Sequence, residues 1–340
     1  MNRSEFLTSL STTAILPLKP WTWEEETNMA AWVQPAALQP GDTIAISAPA
    51  GYTTQREVQA TKIVLESWGF NVQLGNTVGK RYITFGGTDA ERADDLQQLL
   101  MDTNVKAILC ARGGYGAVRI VDKIDFSFLR KHPKWLVGFS DITVLHCHIH
   151  RCTGVASVHA KMCNGFPDNW NRADSVQQAT LLSIRDALTG IPSKFLLPPN
   201  SNNRIGIGTG VLIGGNLRTL ETLAGTKSDI TTKGKILFLE DTGEYLYSID
   251  RMFWHLKRNG KLDGLAGLII GGFNIKRTED TAEEFGLQLR DIVLEKTEGC
   301  NYPVCFNFPV GHQKNNYALK CGVRHQLTVT ASNVSLNELT

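Results

Sequence analysis

A serine, a glutamate and a histidine, each beside an apolar run, are the residues of this chain best suited to covalent chemistry. Ser140 stands in KWLVGFSDITVLHCHIH (134–150), where an apolar run ending at Gly138-Phe139 gives way at once to helical spacing. A strand-to-helix corner exposes and aims a serine hydroxyl. To act as a nucleophile, that hydroxyl needs a base to take its proton and donors to hold an oxyanion. Asp141 opens the helix, so its backbone N–H sits at a positive helix terminus. Gly113 and Gly114 of ARGGYG (111–116), having no side chains, can bring a second N–H close. The same Ser-Asp pair also suits a plain N-cap, and the GxSxG elbow is not met, because Ile142 stands where its second glycine belongs.

In KILFLEDTGEYLYSIDRM (235–252), Glu240 ends an apolar strand and offers a carboxylate at its end. Asp241 points to the opposite face, so the two do not form a paired acid/base site, and a salt-bridged strand end would also account for Glu240. In NFPVGHQKNNYALKCG (307–322), His312 lies in a loop after a glycine; its near-neutral pKa suits a general base, and an ordinary surface histidine fits the same pattern. His146, Cys147, His148, His150 and Cys152 form a tempting cluster, but only His146 and His150 share a helix face and no HExxH glutamate is present, so no metal site is expected. GIGTG (206–210) misses the GxGxxG spacing and reads as a glycine-rich strand bend rather than a dinucleotide loop.

These residues need elements to position them. DTIAISAPAG (42–51) reads as a buried strand stopped by Pro49 and Gly51, and Thr53 or Thr54 can cap a helix through about Trp68, closed by Gly69. FNVQL (70–74) is a second strand, DAERADDLQQLL (89–100) a helix, and VKAILC (105–110) a strand leading into RGGYG. Strands alternating with helices predict a parallel sheet with helices on both faces, whose sites form at the carboxyl ends of the strands. RGGYG and GFSD both fall there. After a helix over Ser175 to Leu188, GIPSKFLLPPNSNNR (190–204) reads as a linker. Beyond it come IGIGTGVLIGG, a helix in NLRTLETLAG, the strand KILFLE, a helix around IDRMFWHLKRNG and the strand LAGLIIGGF, a mixed and more β-rich pattern. The expected organisation is an N-terminal extension (1–35), an α/β domain (36–189), a linker (190–204) and a C-terminal domain (205–335).

The bulk properties exclude several function classes. The 340 residues carry a formal charge of +2 and no basic run, which argues against nucleic acid or an anionic membrane as partner. The most apolar stretch, around Leu265 to Phe273, is too short to cross a bilayer, so a soluble protein is expected. Seven cysteines without paired spacing read as reduced thiols. Residues 1–35 begin with one arginine and a weakly apolar, Ser/Thr-rich segment resembling a degenerate export signal of the twin-arginine kind, although Glu5 intrudes. A cytoplasmic location is expected, with the periplasm as the alternative if that segment acts in export.

RGGYG, LVGFSDITVLH, TGVASVHA, GVLIGGNLRTLETLAGT, GKILFLEDTGEYLYSIDRM and PVGHQKNNYALKCG, in that order, resemble the LD-carboxypeptidase family. This family of serine peptidases includes murein tetrapeptide carboxypeptidases and microcin immunity peptidases. The resemblance covers nearly everything from residue 41 to about 330. It implies a flavodoxin-like (glutamine-amidotransferase-like) N-terminal domain, a β-rich C-terminal α/β domain, a homodimer and no cofactor. It also implies a triad across the two domains, with Ser140 as nucleophile, His312 as base and Glu240 orienting it, and oxyanion donors at Gly114 and Asp141. Arg112, Gly113 and Tyr115 are the expected substrate contacts, and a muropeptide ending in D-Ala is the expected substrate. One departure is Ala160-Lys161-Met162, where a Gly-Pro commonly follows the histidine, a change in the pocket wall. A microcin-type peptidase acting on a peptidyl or aminoacyl nucleotide, with Trp170 as base platform, and a non-catalytic muropeptide-binding protein are the competing readings.

Overall fold

The strands of the first half assemble around β1 (Thr43–Ser47), which pairs in parallel with β2 (Asn71–Leu74) on one side and β3 (Val105–Cys110) on the other. β4 (Trp135–Gly138) and β5 (Ser157–His159) extend the parallel sheet, giving the order β2-β1-β3-β4-β5. That order is the flavodoxin-like one, in which sites lie beyond the carboxyl ends of the strands. The computed structural model describes residues 32–277 and 284–339.

The helices form where caps and apolar spacing agree. Thr54 caps α1 (Gln55–Ser67) and Thr88 caps α2 (Asp89–Met101), each through a reciprocal box with the glutamate three residues on. After the short α3 (Phe128–Lys131) comes α4 (Thr143–Thr153), buried along nearly its whole length, and α5 (Ser175–Leu188) is capped by Asp174.

The second sheet runs β10-β9-β8-β7-β12-β13-β6. β7 (Gly206–Asn216), β8 (Ile236–Thr242), β9 (Gly267–Asn274) and β10 (Val304–Cys305) are parallel, with α6 (Leu217–Thr222), α7 (Leu246–Arg258) and α8 (Leu289–Lys296) among their connections. β12 (Arg324–Val329) and β13 (Val334–Glu338) continue antiparallel from β7. A single apolar cluster includes Ile108 and Leu136 of the first sheet, Leu145 of α4, and Ile213, Leu239 and Ile270 of the second. α4 is thus the wedge between the sheets, which explains why its sequence is apolar on more than one face. Among the described residues, no helix is long and apolar enough to cross a membrane.

Two segments differ from the sequence reading. The stretch expected to be a linker contains β6 (Lys194–Leu197), the edge strand paired antiparallel to β13. β11 (Leu319–Cys321), late in the chain, joins the first sheet antiparallel to β5. Most of the N-terminal extension, including the export-like segment, lies outside the described residues. Its last residues are already part of the fold: the Val33 N–H donates to the Gly154 carbonyl at 3.0 Å, and the Trp32 ring lies 5.4 Å from that of His150.

Candidate active site

β4 ends at Gly138, and the chain turns through Phe139 into a short 3₁₀ turn, Ser140–Ile142, that leads into α4. Ser140 has φ of +64°, left-handed backbone that costs a non-glycine residue about 1–2 kcal/mol. This is the sharp strand-to-helix corner expected from GFSD, achieved without the second glycine. Neither Ser140 nor Asp141 caps the helix: no side chain here accepts one of the helix's own first N–H groups. The Asp141 carboxylate is buried and accepts the Ala117 N–H at 2.8 Å, which ties the Ser140 corner to the end of the RGGYG loop. Burial raises its pKa to about 6, opposed by the Ala117 and Gly116 N–H groups and by Arg92.

Gly113 leaves little room for a side chain, because a Cβ there would lie 3.0 Å from that of Ser140. The loop therefore approaches the serine backbone to backbone, as oxyanion donors require. Gly114 has φ of +92°, and a Cβ at Gly51 would lie 2.6 Å from the Gly113 carbonyl, which accepts the Gly51 N–H. Arg112 lies over the Tyr52 ring at 5.5 Å, whereas Tyr115 is exposed beside Phe85 at 5.9 Å.

The second sheet supplies the other two groups. Glu240 of β8 is fully buried rather than exposed at a strand end, and its Oε2 accepts from His312 Nδ1 at 2.6 Å and from the His312 N–H at 3.2 Å. Its Oε1 has no protein partner. Gly311 (φ +99°) makes this pairing possible, because a Cβ there would fall 2.4 Å from that of Glu240. Donating Nδ1–H to Glu240 leaves Nε2 of His312 as the basic nitrogen. The His312 ring packs against Phe139, centroid to centroid 4.9 Å, and Phe139 is covalently next to Ser140. One aromatic contact thus brings the first-sheet corner to the second-sheet histidine.

Asp241 points away from Glu240, as strand alternation predicts: its carboxylate accepts from Asn216 Nδ2 at 3.1 Å and from the Arg218 N–H at 2.9 Å, and burial raises its pKa to about 6. His146 and His150 both reach Ser157 Oγ, at 2.8 and 3.2 Å, while His148 faces Ser228 Oγ at 2.9 Å. Trp170 packs edge-on against Trp68 at 6.5 Å. His159 is wholly buried, edge-on to Phe139 at 5.7 Å and Phe238 at 5.0 Å. Phe139 and the Asp141 carboxylate were not singled out as site groups in the sequence. Their signal was only adjacency to Ser140, since an aromatic beside a corner serine has no local pattern to mark it.

Comparison with known proteins follows the same division. Residues 44–160 match the LD-carboxypeptidase N-terminal domain, and residues 209–327 match the LD-carboxypeptidase C-terminal domain. The chain is 35% identical over 293 residues to a Bacillus subtilis protein named "Probable murein peptide carboxypeptidase", covering 86% of this chain and 90% of that one. It is 31% identical to the murein tetrapeptide carboxypeptidase of Pseudomonas aeruginosa, over 82% of this chain and 91% of the other. The crystal structure of muramoyltetrapeptide carboxypeptidase from Oxalobacter formigenes superposes with a TM-score of 0.77 at 28% identity, covering 88% of this chain and 99% of that one. Sequence and fold agree, and the chain belongs to the LD-carboxypeptidase family of serine peptidases.

Proposed function

We propose that this protein is a serine L,D-carboxypeptidase that removes the terminal D-Ala of murein tetrapeptides through an acyl-enzyme on Ser140. The observation that carries the reading is the 2.6 Å pairing of His312 with buried Glu240, seated against the residue that precedes the strained Ser140. The substrate follows from the relatives, whose names specify murein peptides.

In this mechanism His312 Nε2 takes the Ser140 hydroxyl proton as Oγ attacks the carbonyl of the L-centre preceding D-Ala. The N–H groups of Gly114 and Asp141 receive the developing oxyanion. Collapse breaks the C–N bond, and His312 gives its proton to the departing D-Ala amine. Water, deprotonated by His312, then releases the tripeptide and restores Ser140. Glu240 keeps the imidazole in its productive tautomer and stabilises the imidazolium. Trp170, packed against Trp68, offers less to the reading in which a nucleobase stacks on it.

The test is incubation of a muropeptide mixture with pure protein, followed by mass spectrometry. Tetrapeptides should lose one D-alanine and accumulate as tripeptides. An unchanged mixture, or cleavage confined to aminoacyl nucleotides, would overturn the assignment.

A further inference from the structure

Lys161 stands two residues beyond β5, at the carboxyl edge of the first sheet. Its Nζ donates to the carbonyl of Gln313, the residue after His312, at 2.8 Å, and lies 5.7 Å from the centre of the Phe139 ring, the residue before Ser140. The side chain is half-buried, and no carboxylate pairs with it among the described residues. Burial lowers its pKa, and the nearby Glu240 carboxylate opposes that shift. A cation drawn out of water without a counter-ion is unfavourable unless something else supplies the negative charge.

Lys161 also lines a cavity of about 250 Å³ together with Asn164, Gln177, Thr180 and Lys314. Thr180, another lining residue, is 1% exposed, and its buried hydroxyl has no hydrogen-bond partner among the described residues. Lys314 is held by Asp174 at 2.6 Å, whereas among the described residues no carboxylate lies within ion-pair distance of Lys161. Cationic and neutral hydrogen-bonding groups around a small cavity make a site for a carboxylate.

We infer that this cavity receives the leaving residue and that Lys161 binds the C-terminal carboxylate of the substrate. The inference rests on the carboxypeptidase reading: the terminal carboxylate lies one residue past the scissile bond, so its anchor must stand beside both Ser140 and His312. Lys161 touches the neighbour of each. Arg112, an expected substrate contact, lies over Tyr52, and among the described residues no hydrogen bond or ring contact joins it to His312 or Gln313.

The test compares a tetrapeptide with its C-terminal amide, using wild type, Lys161→Met and Lys161→Arg. Wild type should prefer the free acid. Lys161→Met should lose about 10- to 100-fold in kcat/KM on the acid, chiefly through KM, with little change on the amide. Lys161→Arg should recover part of the preference. Equal losses on acid and amide, or an acid-to-amide ratio that survives in Lys161→Met, would overturn the inference. So would a loss confined to substrates with a carboxylate on the diamino-acid side chain, because the anion would then be a different one. If Lys161→Met does not fold, Lys161→Gln answers the same question. If wild type releases no D-Ala at all, the peptidase reading fails separately. The site is then judged by calorimetry with free D-alanine, where weaker binding to the Lys161 variant supports it and equal or absent binding overturns it.

Discussion

In the proposed mechanism Glu240 acts on substrate only through His312, and its geometry sets what each substitution should do. Because Oε2 receives both Nδ1 and the backbone N–H of His312, Glu240→Gln should leave the ring in place but favour the wrong tautomer. A fall in kcat of about 10⁴-fold is expected, with KM little changed; steady-state kinetics on a tetrapeptide measures it, and a loss below tenfold would remove Glu240 from the mechanism. Gly113→Ala should lower kcat by a different route, since its Cβ would meet that of Ser140 at 3.0 Å and shift the loop by a few tenths of an ångström; the same kinetics measures it, and an unchanged kcat would contradict it. Asp141 makes a pH prediction. Its folded pKa of about 6 lies above the ordinary 3.8, so the folded protein keeps a proton that the unfolded chain has already released. Stability should therefore fall as pH rises through that interval, by on the order of 2–3 kcal/mol for this group. Urea midpoints at about pH 4 and pH 7 check this: wild type should lose ground relative to Asp141→Asn at the higher pH, and a pH-independent difference would contradict it.

At the scale of elements, local signals were readable and long-range pairings were not. The α5 span, Ser175–Leu188, and the β3 span, Val105–Cys110, agree with the residues picked from apolar spacing and breakers. β6 escaped notice because its four residues, in the stretch between Pro192 and Pro198, look like punctuation, and only pairing with distant β13 makes them a strand. β11 could not be assigned to the first sheet from sequence, since nothing near Leu319 records that its partner is β5. A buried ion pair fastens that crossing: Lys320 of β11 meets Glu338 of β13 at 2.9 Å, with both side chains almost fully buried. Breaking one partner leaves a stranded charge, so Glu338→Ala should cost about 3–5 kcal/mol, whereas Lys320→Met with Glu338→Leu should cost much less. Denaturant titration distinguishes the two, and a double variant as unstable as the single would contradict the account.

In the molecule as a whole, the site exists because two sheets are held against α4. Thr143 Oγ1, just past the nucleophile corner, accepts the Asn216 N–H at 3.1 Å from the end of β7, and Gly215 leaves the space for that approach. The serine, glutamate and histidine were identifiable as chemical types and as family positions, but the approach of the Ser140 corner to the Glu240–His312 pair was not, because it depends on Phe139 packing against His312 across the two halves. That meeting is the central claim. It is tested most directly by the turnover of Ser140→Ala, His312→Ala and the double variant on one tetrapeptide. If the residues act as a unit, each single variant should lose several orders of magnitude, about 10³-fold or more, and the double variant should be no slower than the worse single. Losses that multiply in the double variant, or near-wild-type release of D-Ala by Ser140→Ala, would contradict it.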